Sequence, residues 1–109
     1  MKVVNWADYQ QFSSEKMQKL NIFETKRLFC DIYCFEPGQE QKGHTHGEQD
    51  KIYFVLEGEG TFQVGTDKRV LGAGQGTIAP AGEEHGVVNH TGKRLRVLVF
   101  VAPNRNQKA

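Results

Sequence analysis

Apolar and polar positions alternate with a period of two along much of this chain. Leu28, Cys30, Ile32 and Cys34 interleave with Phe29, Asp31, Tyr33 and Phe35, which is the spacing of a strand and not of a helix. The same reading predicts strands over residues 27–36, 41–46, 51–57, 60–64, 68–71, 76–79, 85–89 and 95–102. Gly65-Thr66-Asp67 separates two of these runs as a hairpin turn. The chain's 12 glycines fall after Pro37 and punctuate the runs. Many short strands with Gly and Pro between them predict an all-β domain, a sandwich or closed barrel.

The first residues read differently. Around residues 7–20 the chain is polar, poor in β-branched residues, and carries scattered Trp6, Tyr9, Phe12, Met17 and Leu20. One or two helical turns are expected there, with Asn5 capping one and Ser13 or Ser14 another. The division is a helical segment over 1–22, a β-barrel over 23–102 and a frayed polar tail over 103–109. The 27–36 strand carries large apolar groups on both faces, so something must cover its second face. The N-terminal segment or a second subunit would do so, and a homodimer would add burial that a small domain needs.

At 109 residues the chain is one domain. Lys plus Arg number 14 against 13 Asp plus Glu, a net charge of +1, which argues against a nucleic-acid partner. The cluster Lys93, Arg94 and Arg96 and the pair Lys26 and Arg27 read as solvated strand edges or turns. No apolar run approaches the ~20 residues of a membrane span. Residues 1–8 lack the apolar core of a signal peptide. A soluble, cytoplasmic protein without membrane partners is expected. Cys30 and Cys34 would lie roughly 13 Å apart on a strand, beyond the ~7 Å reach of a disulfide, so both are read as free, buried thiols.

Candidate chemistry lies in the histidines. Three of the four fall in two blocks: Gly38, five residues, then His44-Thr45-His46; and Gly74, five residues, then Pro80-Ala81-Gly82-Glu83-Glu84-His85, three residues, Asn89. Alternation on a strand lets His44 and His46 aim at one point. The Pro-x-Gly turn would return His85 beside them. Three neutral imidazoles make a transition-metal site completed by a carboxylate or by solvent. His90 lies outside the block and reads as an ordinary loop residue.

These two blocks resemble the signature motifs of the cupin superfamily. Gly38, His44, His46 and Gly58 match the first, and Gly74, Pro80, Gly82, His85 and Asn89 match the second. The resemblance extends over roughly residues 28–102. It implies a double-stranded β-helix (jelly-roll) barrel, usually dimeric, often with a divalent metal in its mouth. The first motif also has a metal-binding Glu, and here the register is ambiguous. Counting back from Gly58 puts Lys51 at that place, while counting from His46 puts Asp50 there, with Gln49 a third oxygen donor. The preferred reading is a site of His44, His46 and His85, with water or substrate in the remaining positions.

Histidine-only sites suit Zn, Mn, Fe, Ni or Cu. Cupins include dioxygenases, isomerases, decarboxylases and lyases, as well as proteins that only bind a ligand, and fold does not choose among them. Two function classes follow: a metal-dependent enzyme on a small oxygenated metabolite, and a non-catalytic small-ligand-binding module with or without metal. Tyr53 could offer a phenol and Lys51 a cation to an anionic substrate, but core packing of Tyr53 and solvation of Lys51 are the expected states. Glu83 and Glu84 are expected to be exposed beside their turn, not to serve as bases.

Overall fold

A computed structural model describes residues 1–44 and 47–105, with backbone alone at 43 and 44. Nine strands form: β1 Gln18–Glu24, β2 Phe29–Phe35, β3 Glu40–His44, β4 Asp50–Glu57, β5 Glu59–Val64, β6 Asp67–Gly72, β7 Gly76–Ala79, β8 His85–Val88 and β9 Leu95–Ala102. They pair antiparallel in two sheets, β1-β2-β9-β4-β7 and β3-β8-β5-β6. The all-β expectation holds, and the predicted strands lie within a residue or two of those observed. The end of the 41–46 run, at residues 45 and 46, lies outside the described residues.

The core sits between the two sheets. Tyr33, Phe35, Tyr53, Val55, Leu95, Val97 and Val99 face Phe62 and Val87 across it. Phe35, Leu95, Val97 and Val99 are fully enclosed, and each such side chain contributes about 1.5–3 kcal/mol through burial. Two glycines of the turns have necessary backbones. Gly65 has φ +61° at the first position of the β5–β6 turn, where the type II′ hairpin requires it. Gly58 has φ +84°, and a Cβ there would stand 2.3 Å from the Arg94 carbonyl oxygen.

The expected N-terminal helical segment is reduced to one turn, and the second, expected at Ser13 or Ser14, does not form. A single 3-10 turn, Trp6–Asp8, is the one helical element among the described residues, and Asn5 makes no side-chain cap to it. Residues 18–24, partly assigned to that segment, are instead the edge strand β1, paired with β2 through a bulge near Asn21. A helix this short is marginal in water, whereas the β2 edge offers a full ladder of backbone partners. Val4, Tyr9 and Phe12 then lie across the outer face of the sheet against Ile22, Cys30, Ile32 and Cys34. This explains the two apolar faces of β2. Both thiols are free and buried; burial pushes Cys30 up to about 11 and raises Cys34 as well, so neither is a ready nucleophile.

Two further expectations need correction. Arg96, read as part of a solvated cluster, is 1% exposed. It projects to the outer face of β9, where its guanidinium donates to the Trp6 and Tyr9 carbonyls at 3.0 and 3.4 Å and to Glu57 at 3.1 Å. The start of the predicted frayed tail is anchored: Asn104 is buried and donates to Glu24 and to the Thr25 carbonyl, both at 2.8 Å. Residues 106–109 of that tail lie outside the described residues.

Candidate functional site in the barrel mouth

The β3–β8 ladder places His44 directly opposite His85, as the turn at Pro80–Gly82 was expected to do. Gly82 takes φ +88° in that turn, and the Ala81 N–H is held by the Asp50 carboxylate at 2.9 Å. His85 is 2% exposed. Its Nδ1 lies 3.0 Å from the Glu83 carbonyl oxygen. A carbonyl can only accept, so Nδ1 carries the proton and the lone pair is on Nε2. The ring leans over Tyr53, with centroids 6.4 Å apart. His46, the third predicted ligand, lies outside the described residues. Asn89, the last residue of the second motif, is structural: buried, it donates to the Lys93 carbonyl at 2.7 Å and accepts from Thr91, shaping the turn into β9.

The alternatives for a fourth ligand separate clearly. Asp50 is exposed and occupied at the Ala81 turn, and Gln49 donates to the Pro103 carbonyl at 3.0 Å. Lys51, by contrast, points inward and is 5% exposed, against the expectation that it would be solvated. Strand alternation is the cause: Lys51, Tyr53 and Val55 share the buried face of β4, while Asp50 and Phe54 are exposed on the other. Glu83 and Glu84 are exposed as expected. His90 is a surface residue, bonded to Thr61 at 2.9 Å and 3.6 Å from Glu59.

Lys51 meets aromatic faces. Its Nζ stands 5.0 Å from the Tyr33 ring centroid and 5.3 Å from that of Tyr53. Lys19 stands 5.2 Å from the Tyr33 ring as well. Burial, and then the nearby Lys19 charge, lower Lys51 from its ordinary 10.5 to about 7, with Asp31 opposing. The Tyr53 hydroxyl donates to Gln41 Oε1 at 3.3 Å, and Gln41 Nε2 donates to the Tyr33 hydroxyl at 3.4 Å. Burial raises both phenols, so both keep their protons at neutral pH. Tyr53 is thus in the core as expected, but with a polar task. Sequence reasoning misses Tyr33, Gln41 and Asp31 as site residues. For Tyr33 and Asp31 the signal is a polar atom at an inward position of an otherwise apolar alternation; Gln41, in the polar run of β3, carries none.

Two antiparallel sheets packed face to face, with a buried histidine and a few polar side chains among the apolar ones between them, define a jelly-roll type of β-barrel. A cupin-domain profile matches residues 31–101. The chain belongs to the cupin family. It is 38% identical to the TT1209 protein of Thermus thermophilus, covering 94% of this chain and 98% of that one, with a TM-score of 0.92. An RmlC-like cupin protein from Desulfovibrio desulfuricans is 30% identical, covering 94% and 97%, at a TM-score of 0.84. A Klebsiella pneumoniae protein with a double-stranded β-helix domain is 24% identical, covering 98% and 94%, at a TM-score of 0.88. No curated protein matches the chain.

Proposed function

We propose that this cupin holds a divalent transition metal in its barrel mouth through His44, His46 and His85, and takes a small oxygenated metabolite there. The observation that carries this reading is His85. Its ring is buried, and its Nδ1–H is held by a backbone carbonyl, the arrangement that presents Nε2 to a metal. Its strand partner is His44. The donor set suits a metal that accepts imidazole alone. Of the three residues that counting puts at the family's carboxylate position, Lys51 faces inward, while the Asp50 carboxylate accepts from the Ala81 N–H and the Gln49 amide donates to the Pro103 carbonyl. Such a metal, with open positions, would polarise a bound carbonyl or carboxylate oxygen. The chain's own residues would orient the ligand: Tyr33 and Lys51 offer donors from the inner face of the sheet.

Elemental mass spectrometry of protein purified without chelator or nickel tests this. About one metal per chain is expected, lost in His44→Ala and in His85→Ala. A protein that stays empty after reconstitution with Zn, Mn, Fe(II), Ni and Cu overturns it. Because the ligands must be neutral, metal affinity is expected to fall as pH drops through about 6.5; retention down to pH 4 would contradict histidine ligation. A second copy of the chain is the proposed cover for the exposed Phe54 and Ile78 on β4 and β7, and a monomer by light scattering would refute it.

A further inference from the structure

We propose that Lys51 and Tyr33 form a carboxylate-recognition arm on the inner face of the barrel, so that the ligand is a small organic acid. This narrows the ligand class of the metal site and rests on that reading for the group to which the acid is presented. Recognition itself needs only the two side chains.

Lys51 is more than nine-tenths buried and points into the barrel. Among the described residues it has aromatic faces beside it but neither a hydrogen bond nor an ion pair. An amine is a donor that a ring face satisfies only weakly, and burying it without an acceptor is costly. The hydrogen-bond chain beside it has one direction. Tyr53 donates to the amide oxygen of Gln41, and the amide nitrogen donates to the Tyr33 oxygen. The proton of the Tyr33 hydroxyl is then the loose end, with no acceptor among the described residues.

The carboxylate nearest by register, Asp31, shares the inner face but is no substitute. Asp31 accepts from the Asn21 amide at 3.0 Å and lies beyond ion-pair distance of Lys51. Glu83, Glu84 and Asp50 are exposed. Lys19, on the same Tyr33 ring, adds a second positive charge. The inner face of the sheet here therefore presents donors and positive charge where, among the described residues, an acceptor is lacking. A carboxylate has two acceptor oxygens and no donor, one oxygen for the amine and one for the phenol.

Calorimetry with malonate, its neutral isostere malonamide and inorganic phosphate tests the arm. Wild type, Lys51→Met and Tyr33→Phe are each titrated as purified and after chelation, with metal content read on the same samples. Malonate is expected to bind wild type in both states, at least tenfold more weakly to Lys51→Met and several-fold more weakly to Tyr33→Phe. Malonamide is expected to fail. Lys51→Met should melt no lower than wild type, which separates lost recognition from lost fold. Malonate binding that ignores Lys51, equal binding of malonamide, preference for phosphate, or no malonate binding to wild type each overturns the proposal. Lys51-dependent binding in a chain that never takes up metal supports the arm and removes the metal reading. Full metal content with Lys51-independent binding does the reverse.

Discussion

Two cations are buried on opposite faces of the same five-stranded sheet, and they are treated differently. Arg96, on the outer face of β9, donates to two backbone carbonyls and Glu57 and lies 4.9 Å from the Trp6 ring centroid. Only its Nε lacks a partner among the described residues. Lys51, on the inner face of β4, has two aromatic rings and no oxygen partner among the described residues. A guanidinium has five donors in a planar fork and no accessible neutral form, so it is buried where acceptors surround it. An amine can lose its proton instead, and burial moves Lys51 toward that form. The first arrangement fastens a segment. The second leaves a donor without an acceptor among the described residues.

The comparison breaks most sharply at Arg96. Arg96→Met strands the Trp6 and Tyr9 carbonyls and undocks residues 1–12. A loss of about 2–4 kcal/mol in urea denaturation is expected, discounted because Glu57 is half-exposed and rehydrates. Faster proteolysis ahead of β1 should accompany it. A loss below about 1 kcal/mol would mean the segment is held by its apolar contacts alone. Lys51→Met should have the opposite sign, a gain of about 1–3 kcal/mol, because a poorly satisfied charge leaves the core and an apolar chain of similar length fills its space.

The pH dependence of stability sharpens the same contrast in metal-free protein. Lys51 has a folded value of about 7 against an ordinary 10.5. Between these the unfolded chain binds more protons than the folded one, so stability rises with pH. The gain approaches about 1.4 kcal/mol per unit above pH 7. The advantage of Lys51→Met over wild type should shrink at that rate from pH 7 to 8.5. A pH-independent difference would show that Lys51 is not titrating. The smallest effect is expected for Tyr33→Phe, which removes one long hydrogen bond and costs about 0.5–1.5 kcal/mol in chemical denaturation. A larger cost would mean that the Tyr33 hydroxyl is also a structural partner.

Much of this was legible along the chain. Period-two alternation located the strands from β2 to β9, and the spacing of Gly74, Pro80, Gly82 and His85 marked the turn that sets His85 against His44. The alternation at Leu28–Phe35 also announced a sheet covered on both faces. Failures came where a residue's state depends on a distant partner. Residues 18–24 carry no strong strand signal, and they pair because β2 has an open edge. Arg96 looks like its exposed neighbours Lys93 and Arg94 until the N-terminal segment folds over it.

By itself the sequence determined the fold class, the turns and the two histidine blocks, because alternation and glycine backbones are local properties. The tertiary structure decided what Lys51 is. Counting from either motif end left Lys51, Asp50 and Gln49 interchangeable, since a bulge of one residue exchanges the faces of a strand. The β4–β9 register, Lys51 opposite Val101 and Tyr53 opposite Val99, turns Lys51 inward and Asp50 out to the Ala81 turn. Pairing between strands that are far apart in the chain chose the face, and with it the chemistry of the barrel interior.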